Sequence, residues 1–596
     1  MRNTAKFFLV CLVLIFILSF LPASSEVRAE RVTFIVNTTG DGLTYVDVDL
    51  TDDQCRTQFG NCSLRAAIQQ SHPDYMDAGV SIGFDLPYPY KITLASSLPY
   101  IYANIENNNT YRVTIDGNNY LGLMFFGLQS TTISGLQLQN FAVTAIYDYL
   151  MGNDVITNNV IINNRSVGIS VWAIADDPGI LTITNNYIGY DPMNGSAGNA
   201  SHGIDINIDS GDHSGSTVFI GEGNILTGNT ISGNGGSGIR VNNENNSQVV
   251  IKGNYIGTSD MGTIAVGNRS DGIYVPKSLG SLIIGGDGQG NLISGNLDNG
   301  IDIYESTSQT LIQGNYLSTN VDQDSYLPNN GIDIKAFDSS YITIGGATKN
   351  LGNVILQGLK ITKNQYQNSN VVIKNNFVGL TRTGFIRPTF STTAGIEVNN
   401  IVGVSEISFN EITGFRKGII VGTNSNVPIL NNQIYNNSVM GIDLNNDGVT
   451  DNDNPPDADT GPNGLQNFPI ISNVEVTEIG TAKQVMFDLT LGSTPYTYYR
   501  IQVFSSPFCS PSGYGEGKQI LSINPDPFLI RTGSDGYYEF NELLAFYPSS
   551  IIGPCLTATA TMLEDTTFKP IATSEFSQGV MAWEPEFMLF LPLILK

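Results

Sequence analysis

Hydrophobic residues along this chain fall into very short alternating groups, each opened by a glycine. Gly122-Leu-Met-Phe, Gly168-Ile-Ser-Val, Gly203-Ile-Asp-Ile, Gly238-Ile-Arg-Val, Gly272-Ile-Tyr-Val and Gly300-Ile-Asp-Ile share one pattern. Gly331-Ile-Asp-Ile, Gly358-Leu-Lys-Ile, Gly395-Ile-Glu-Val, Gly418-Ile-Ile-Val and Gly441-Ile-Asp-Leu continue it, and Ala145-Ile-Tyr-Asp fills the gap after the first. Period-two alternation turns the two apolar residues of each group to one face of a strand and the residue between them to the other. The spacing between groups is 23 residues at both ends of the series and up to 37 in the middle. That is the signature of a solenoid whose basic coil carries inserted loops in its central repeats.

Two further strand sets lie between these groups. One reads Ile183-Thr-Asn-Asn-Tyr-Ile-Gly and Ile251-Lys-Gly-Asn-Tyr-Ile-Gly, the other Asn229-Thr-Ile-Ser-Gly-Asn and Asn291-Leu-Ile-Ser-Gly-Asn. Three short strands per repeat, separated by Asn/Gly corners, predict a triangular coil. Asn tolerates the left-handed turns such corners need, and its amide can bond to the same residue one coil on. A propeller blade of about 40 residues is too long for the 23-residue spacings. The expected fold is all-β: a right-handed parallel β-helix with an N-terminal cap and a C-terminal antiparallel β-sandwich.

The segment Asn254-Tyr-Ile-Gly-Thr-Ser-Asp-Met-Gly-Thr-Ile-Ala-Val-Gly-Asn-Arg-Ser-Asp-Gly-Ile resembles the repeat of secreted bacterial β-helix proteins of the pectin-lyase-like superfamily. Cys62-Ser-Leu-Arg-Ala-Ala-Ile resembles the CSLREA motif at the start of many such proteins, with Ala66 in place of the motif's Glu. The resemblance covers roughly residues 31–580 and implies fold more than activity, since that superfamily holds lyases, hydrolases, epimerases and non-enzymatic surface proteins.

Composition places the chain outside the cell. Arg2 and Lys6 precede an apolar run from Phe7 to Leu21, so residues 1–29 read as a secretory signal peptide. Its removal leaves Cys55, Cys62, Cys509 and Cys555. Three pairings are possible. The economical one is Cys55–Cys62 and Cys509–Cys555, formed in an oxidising compartment. A formal net charge of −26 argues against nucleic acid and anionic membranes as partners, and is compatible with calcium and neutral polysaccharides. The expected organisation is a signal peptide at 1–29, a cap with the first coils at 30–121 and the β-helix at 122–443. An acidic linker at 444–467, the sandwich at 468–580 and an apolar tail at 581–596 follow. Ser63 is expected to cap a short helix from about Leu64 to Gln70 that closes the first coil.

Two places could carry chemistry. The outward residues of the repeated strands, read coil by coil, bring Asp302 and Asp333 side by side, with Arg240 and Tyr274 on one flank and Lys360 on the other. Two carboxyls one coil apart, about 4.8 Å, suit a glycosidase. The resemblance to the pectin-lyase-like superfamily implies a second possibility, since its lyases use acids to hold calcium and a Lys or Arg as base, which Asp302, Asp333, Lys360 and Arg240 imitate. Asp302, Asp333 and Lys360 are therefore the catalytic candidates. The competing reading is a row of cross-strand ion pairs on a soluble face. The Gly-His-Gly, Arg-Ile-Lys and Asp-Pro-His-Asp motifs of pectinases and epimerases are absent from the sequence. In the acidic stretch, Asp443, Asn445, Asp447 and Gly448 match the opening of a calcium loop, with Asp451 and Asp453 as further oxygen ligands and Asn454 where a bidentate acid is needed. The expected function is a secreted or surface-associated monomer that binds carbohydrate or another surface partner without catalysis. A polysaccharide lyase or glycoside hydrolase is the alternative. An open ion-paired row favours the binder; a walled pocket around Asp302, Asp333 and Lys360 favours the enzyme.

Overall fold

The computed structural model describes residues 32–73, 79–125, 130–173, 178–210, 215–221, 228–388, 391–403, 405–479, 482–548, 553 and 555–581. The signal segment at 1–29 and residues 582–596 of the tail lie outside them. Three long parallel sheets, of 14, 13 and 12 strands, run side by side, and within each sheet every strand pairs with its equivalent in the preceding and following coils. One coil thus contributes one strand to each sheet, which makes the molecule a parallel β-helix. Its interior is a set of stacked aliphatic columns. In the second sheet, for example, Ile188, Ile231, Ile256 and Ile293 follow one another in register and are fully buried. Each such side chain contributes about 1.5–3 kcal/mol by leaving water, and β-branched chains suit the pleat.

The Gly-apolar-x-apolar groups form the third sheet, and their glycines stand at the corner that leads into it. A Cβ on Gly203 would lie 2.7 Å from the Gly238 carbonyl oxygen, and one on Gly272 would lie 2.7 Å from that of Gly300 and 2.6 Å from Ile293 Cγ2. The coils approach too closely there for any side chain on those residues. After Gly331 the register departs from the repeat pattern. Ile301 pairs with Ile334 and Asp302 with Lys335, so the strand is Ile334–Phe337 and Asp333 takes the glycine's place at the corner.

The other corners are held by asparagine. A buried column runs Asn159, Asn186, Asn229, Asn254, Asn291, Asn315, Asn353, Asn376, Asn410, Asn432, each Nδ2 donating to the next Oδ1 at 2.9–3.1 Å. A second column runs from Asn164 through Asn199, Asn234, Asn268 and Asn296 to Asn329. The residue before a rung turns the chain, as at Asn158 (φ 54°), Asn185 (φ 55°) and Gly253 (φ 65°). Hence the recurring Asn-Asn and Gly-Asn pairs: the first residue makes the bend and the second joins the column. The loops inserted in the central coils include small hairpins, bridged at Thr258–Ala265, Thr319–Tyr326 and Leu380–Ile386. A Cβ on Gly262 would meet Tyr255, Leu292 and Val321, so that hairpin folds over the outside of the second sheet.

Both ends of the stack are covered. At the N-terminal end the helix Leu64–Gln70 is almost wholly buried, and the Ser63 side chain accepts the Ala66 N–H. Cys55–Cys62 is bonded beside it. Arg65 grips Asp41 with two nitrogens at 2.8 Å and the Ser96 and Ser97 carbonyls, pinning the lid to the first coils. At the other end a four-stranded and a six-stranded antiparallel sheet share a second apolar core and include the Cys509–Cys555 bond. This unit supplies acceptors to the orphan N–H groups of the last coil. Thr573 Oγ1 accepts from Ile429, the Gly517 carbonyl from Ile434, Glu516 from Asn437 and Glu575 from Leu444, all at 2.7–2.9 Å. Residues 444–467 are strapped between the two units: Asn463 bonds to the Val427 and Thr573 carbonyls, and Asn452 to that of Phe468.

Candidate functional site

The outer face of the third sheet is a regular surface twelve strands wide and so roughly 50 Å long. Its charges are matched across neighbouring strands. Arg240 pairs with Asp205 at 2.8 Å, Lys277 with Glu244 at 3.0 Å, Lys335 with Asp302 at 3.0 Å and Lys360 with Glu397 at 2.7 Å. Half-exposed cross-strand pairs contribute about 0.2–1 kcal/mol each, and they neutralise one another along the row.

The pairing of Asp302 with Asp333 expected from the repeat does not occur. Because the register slips by two residues, Lys335 stands beside Asp302 and Lys360 stands beyond Lys335. Asp333 points away from the face and is fully buried at the corner, where it accepts from Ser318 Oγ at 2.5 Å, Asn329 Nδ2 at 3.0 Å and the Gln357 N–H at 2.8 Å. Burial pushes its carboxyl up, and these donors oppose the shift. Lys360 is committed to Glu397. Asp302 is 5% exposed. Its Oδ2 accepts from Lys335 and from Asn299 Nδ2, and its Oδ1 is buried without a donor. Burial raises its pKa and Lys335 opposes the rise. For Lys335 burial acts downward, but the bonds to Tyr304 and Asp302 outweigh it and hold the ammonium charged.

Around Lys335 lie residues that the repeat reading missed. Its Nζ donates to the Tyr304 hydroxyl at 2.9 Å and sits 5.0 Å from the centre of that ring. Tyr304 in turn meets Tyr274 edge-on at 6.1 Å and Phe337 at 5.7 Å. Three half-buried rings and three cations, Arg240, Lys277 and Lys335, thus occupy the middle of the face, with Trp172 exposed toward the N-terminal end. The alternation in Ile334-Lys-Ala-Phe was the available signal; Gly331-Ile-Asp-Ile, two residues earlier, imitates the repeat more closely.

The acidic stretch also differs from its expected arrangement. Asp443 is not free to bind a metal: it is fully buried and ion-paired with Lys417 at 2.5 Å. Asn445 donates to Asp447 at 2.8 Å, and Asp451 accepts a long bond from the Tyr514 hydroxyl at 3.4 Å. Among the described residues the acids whose ligand atoms converge are Asp453, Asp457 and Asp459, so Asp453 alone of the expected five belongs to the group. Among the described residues no helix is long and apolar enough to cross a membrane.

No family model matches this sequence, and no curated protein matches it. Solved structures align with this chain at low similarity. The enzymatically active domain of tailspike protein 2 of bacteriophage CBA120 aligns with 93% of this chain and 77% of its own length, at 13% identity and a TM-score of 0.27. PfbA, a surface adhesin of Streptococcus pneumoniae, aligns with 65% of this chain and 91% of its own, at 15% identity and a TM-score of 0.26.

Proposed function

We propose that this is a secreted or cell-surface protein that binds an extended polysaccharide along the outer face of the third sheet and does not cleave it. The observation that carries this reading is the patch of Tyr274, Tyr304 and Phe337 interleaved with Arg240, Lys277 and Lys335 on an open, ion-paired surface. Aromatic rings offer apolar area with little entropy loss, and the flanking side chains offer hydrogen bonds to hydroxyls. Two disulfides, and the likeness of Cys62–Ile68 to the CSLREA motif of secreted pectin-lyase-like proteins, support an extracellular setting.

A hydrolase reading has one observation in its favour. Asn299 Nδ2 bonds both Asp271 Oδ1 at 3.0 Å and Asp302 Oδ2 at 3.1 Å, so two carboxyls lie about as close as a retaining glycosidase needs. Both are 5% exposed, which argues against substrate access. A panel of polysaccharides, scored for binding and for release of reducing ends, separates the readings. The expected result is binding without product, weakened at least tenfold by Tyr304→Ala or Phe337→Ala with an unchanged circular dichroism spectrum. Product release abolished by Asp302→Asn would establish the hydrolase. Undiminished binding by both aromatic variants would remove the face from consideration.

A further inference from the structure

The strap between the β-helix and the C-terminal sheets contains a group of oxygens with too few donors. One carboxylate oxygen from each of Asp453, Asp457 and Asp459 lies within 4.8 Å of the others. Some of the surrounding acceptors are satisfied. Asp457 Oδ2 accepts from Ser493 Oγ, Gln466 Nε2 and the Asn467 N–H, and Asp453 accepts from Asn467 Nδ2 at 3.1 Å and the Ala458 N–H at 3.2 Å. Asp457 Oδ1 and Asp459 Oδ1 are buried with no donor.

A fourth oxygen points to a ligand independently of the acids. Gln466 is 3% exposed, its amide head lies against the Asp457 carboxyl with Nε2 to Oδ2 at 3.3 Å, and its Oε1 is also buried with no donor. A buried amide oxygen is ordinarily bonded. Here three orphaned acceptors belong to residues that adjoin one another: Asp457 and Asp459 bring carboxylate oxygens within 4.8 Å, and Gln466 is bonded to Asp457 through Nε2. None of the ion pairs among the described residues involves these three carboxylates. What would satisfy such a site is a positive charge that accepts only oxygen ligands.

We propose that Asp453, Asp457, Asp459 and Gln466 hold a calcium ion that fastens the C-terminal sheets to the end of the β-helix. Donors that are all oxygen select a hard cation. Calcium takes six to eight oxygens in flexible geometry, with carboxylates in one- or two-point contact and water completing the shell. Magnesium demands a stricter octahedron and keeps its water, which suits this irregular, partly buried set less well. The mechanical consequence follows from the neighbours. Asp457 is already tied to Ser493 and Asn467 to the Gly492 carbonyl, both in the antiparallel unit, and Pro455 packs against Gly536 there. An ion gathering the strap's carboxylates therefore tightens the contact by which that unit covers the last coil.

The test uses the full mature chain, stripped with chelator and titrated with calcium chloride by calorimetry, with a melting curve at each end of the titration. The expected result is one saturable site and a melting temperature that rises by several degrees with calcium. Asp459→Asn removes a ligand charge and leaves an amide oxygen that can still accept the residue's own backbone N–H; it is expected to weaken binding at least tenfold, as is Asp453→Asn, with an unchanged circular dichroism spectrum. Asp447→Asn/Asp451→Asn is expected to bind as the parent does. Absence of saturable binding by the stripped parent would overturn the proposal. So would binding that survives in both Asp453→Asn and Asp459→Asn and disappears in Asp447→Asn/Asp451→Asn.

Discussion

Replacing Asn254 by alanine removes one rung from the middle of the longer asparagine column. The Asn254 amide donates to Asn291 Oδ1 at 2.9 Å, the Ile220 carbonyl at 2.8 Å and the Lys252 carbonyl at 3.0 Å, and it accepts from Asn229 N at 3.0 Å and Nδ2 at 2.9 Å. Not every partner is stranded by its loss. The Ile220 carbonyl still accepts the Lys252 N–H, and Asn291 Oδ1 still accepts the Asn254 N–H. What remains unpaired is the half-buried Lys252 carbonyl and, in a fully buried residue, the Asn229 N–H and one hydrogen of its Nδ2. Two buried orphans at about 1–3 kcal/mol each, with a small void beside them, come to about 4 kcal/mol. A solenoid passes a perturbation chiefly to its neighbours, so the damage is expected to be local. Hydrogen exchange read by mass spectrometry should quicken in Thr230–Ile231 and Tyr255–Ile256 before distant coils respond, and guanidinium unfolding should begin earlier. A loss below about 1 kcal/mol, or exchange that quickens uniformly along the chain, would mean that the column follows from coil stacking and does not stabilise it.

Gly272→Ala is expected to cost about 1–3 kcal/mol by overpacking, because its Cβ would fall 2.6 Å from Ile293 Cγ2 and 2.7 Å from the Gly300 oxygen; a melting curve with no downward shift would contradict this. Lys417→Ala is expected to cost about 3 kcal/mol at neutral pH by leaving Asp443 buried and unpaired, and less in acid, where Asp443 can take a proton; urea melts at both pH values check the difference. Burial and the neighbouring Asp154 push Asp148 up to about 8, and burial pushes Glu516 to about 7 and Glu575 to about 8. The folded chain therefore holds protons that the unfolded chain releases near pH 4, so stability falls as pH rises from about 4 to 8 and levels off above. Asp148→Asn is expected to flatten part of that slope and to be more stable than the parent at pH 8.5, as melting temperatures across the range would reveal.

Much of the architecture was legible because a β-helix writes its geometry as a local repeat. Period-two alternation marked the strands, the glycines marked the corner where two coils touch, and Asn-Asn and Gly-Asn marked the bends and columns. Ser63 and the helix Leu64–Gln70 stood out because a cap is a matter of a few adjacent residues. The pairings Cys55–Cys62 and Cys509–Cys555 followed from proximity along the chain and occur in the structure. The site was less legible, because its chemistry depends on which residue of one coil lies beside which residue of the next. Asp333 and Lys335 exchange roles through a slip of two residues, which preserves the in-and-out alternation and so leaves little trace in the sequence.

The acidic stretch makes the same point over a longer distance. Its charge, its prolines and its affinity for cations as a class are properties of the sequence itself. Which carboxylates stay free was decided only by packing: Lys417 comes from the preceding coil to take Asp443, and Ser493 and Asn467 hold Asp457 against the antiparallel sheets. Local preference, set by sterics and periodicity, determined the coil. Pairing between residues tens of positions apart, set by register and by the docking of one unit on another, decided the sites.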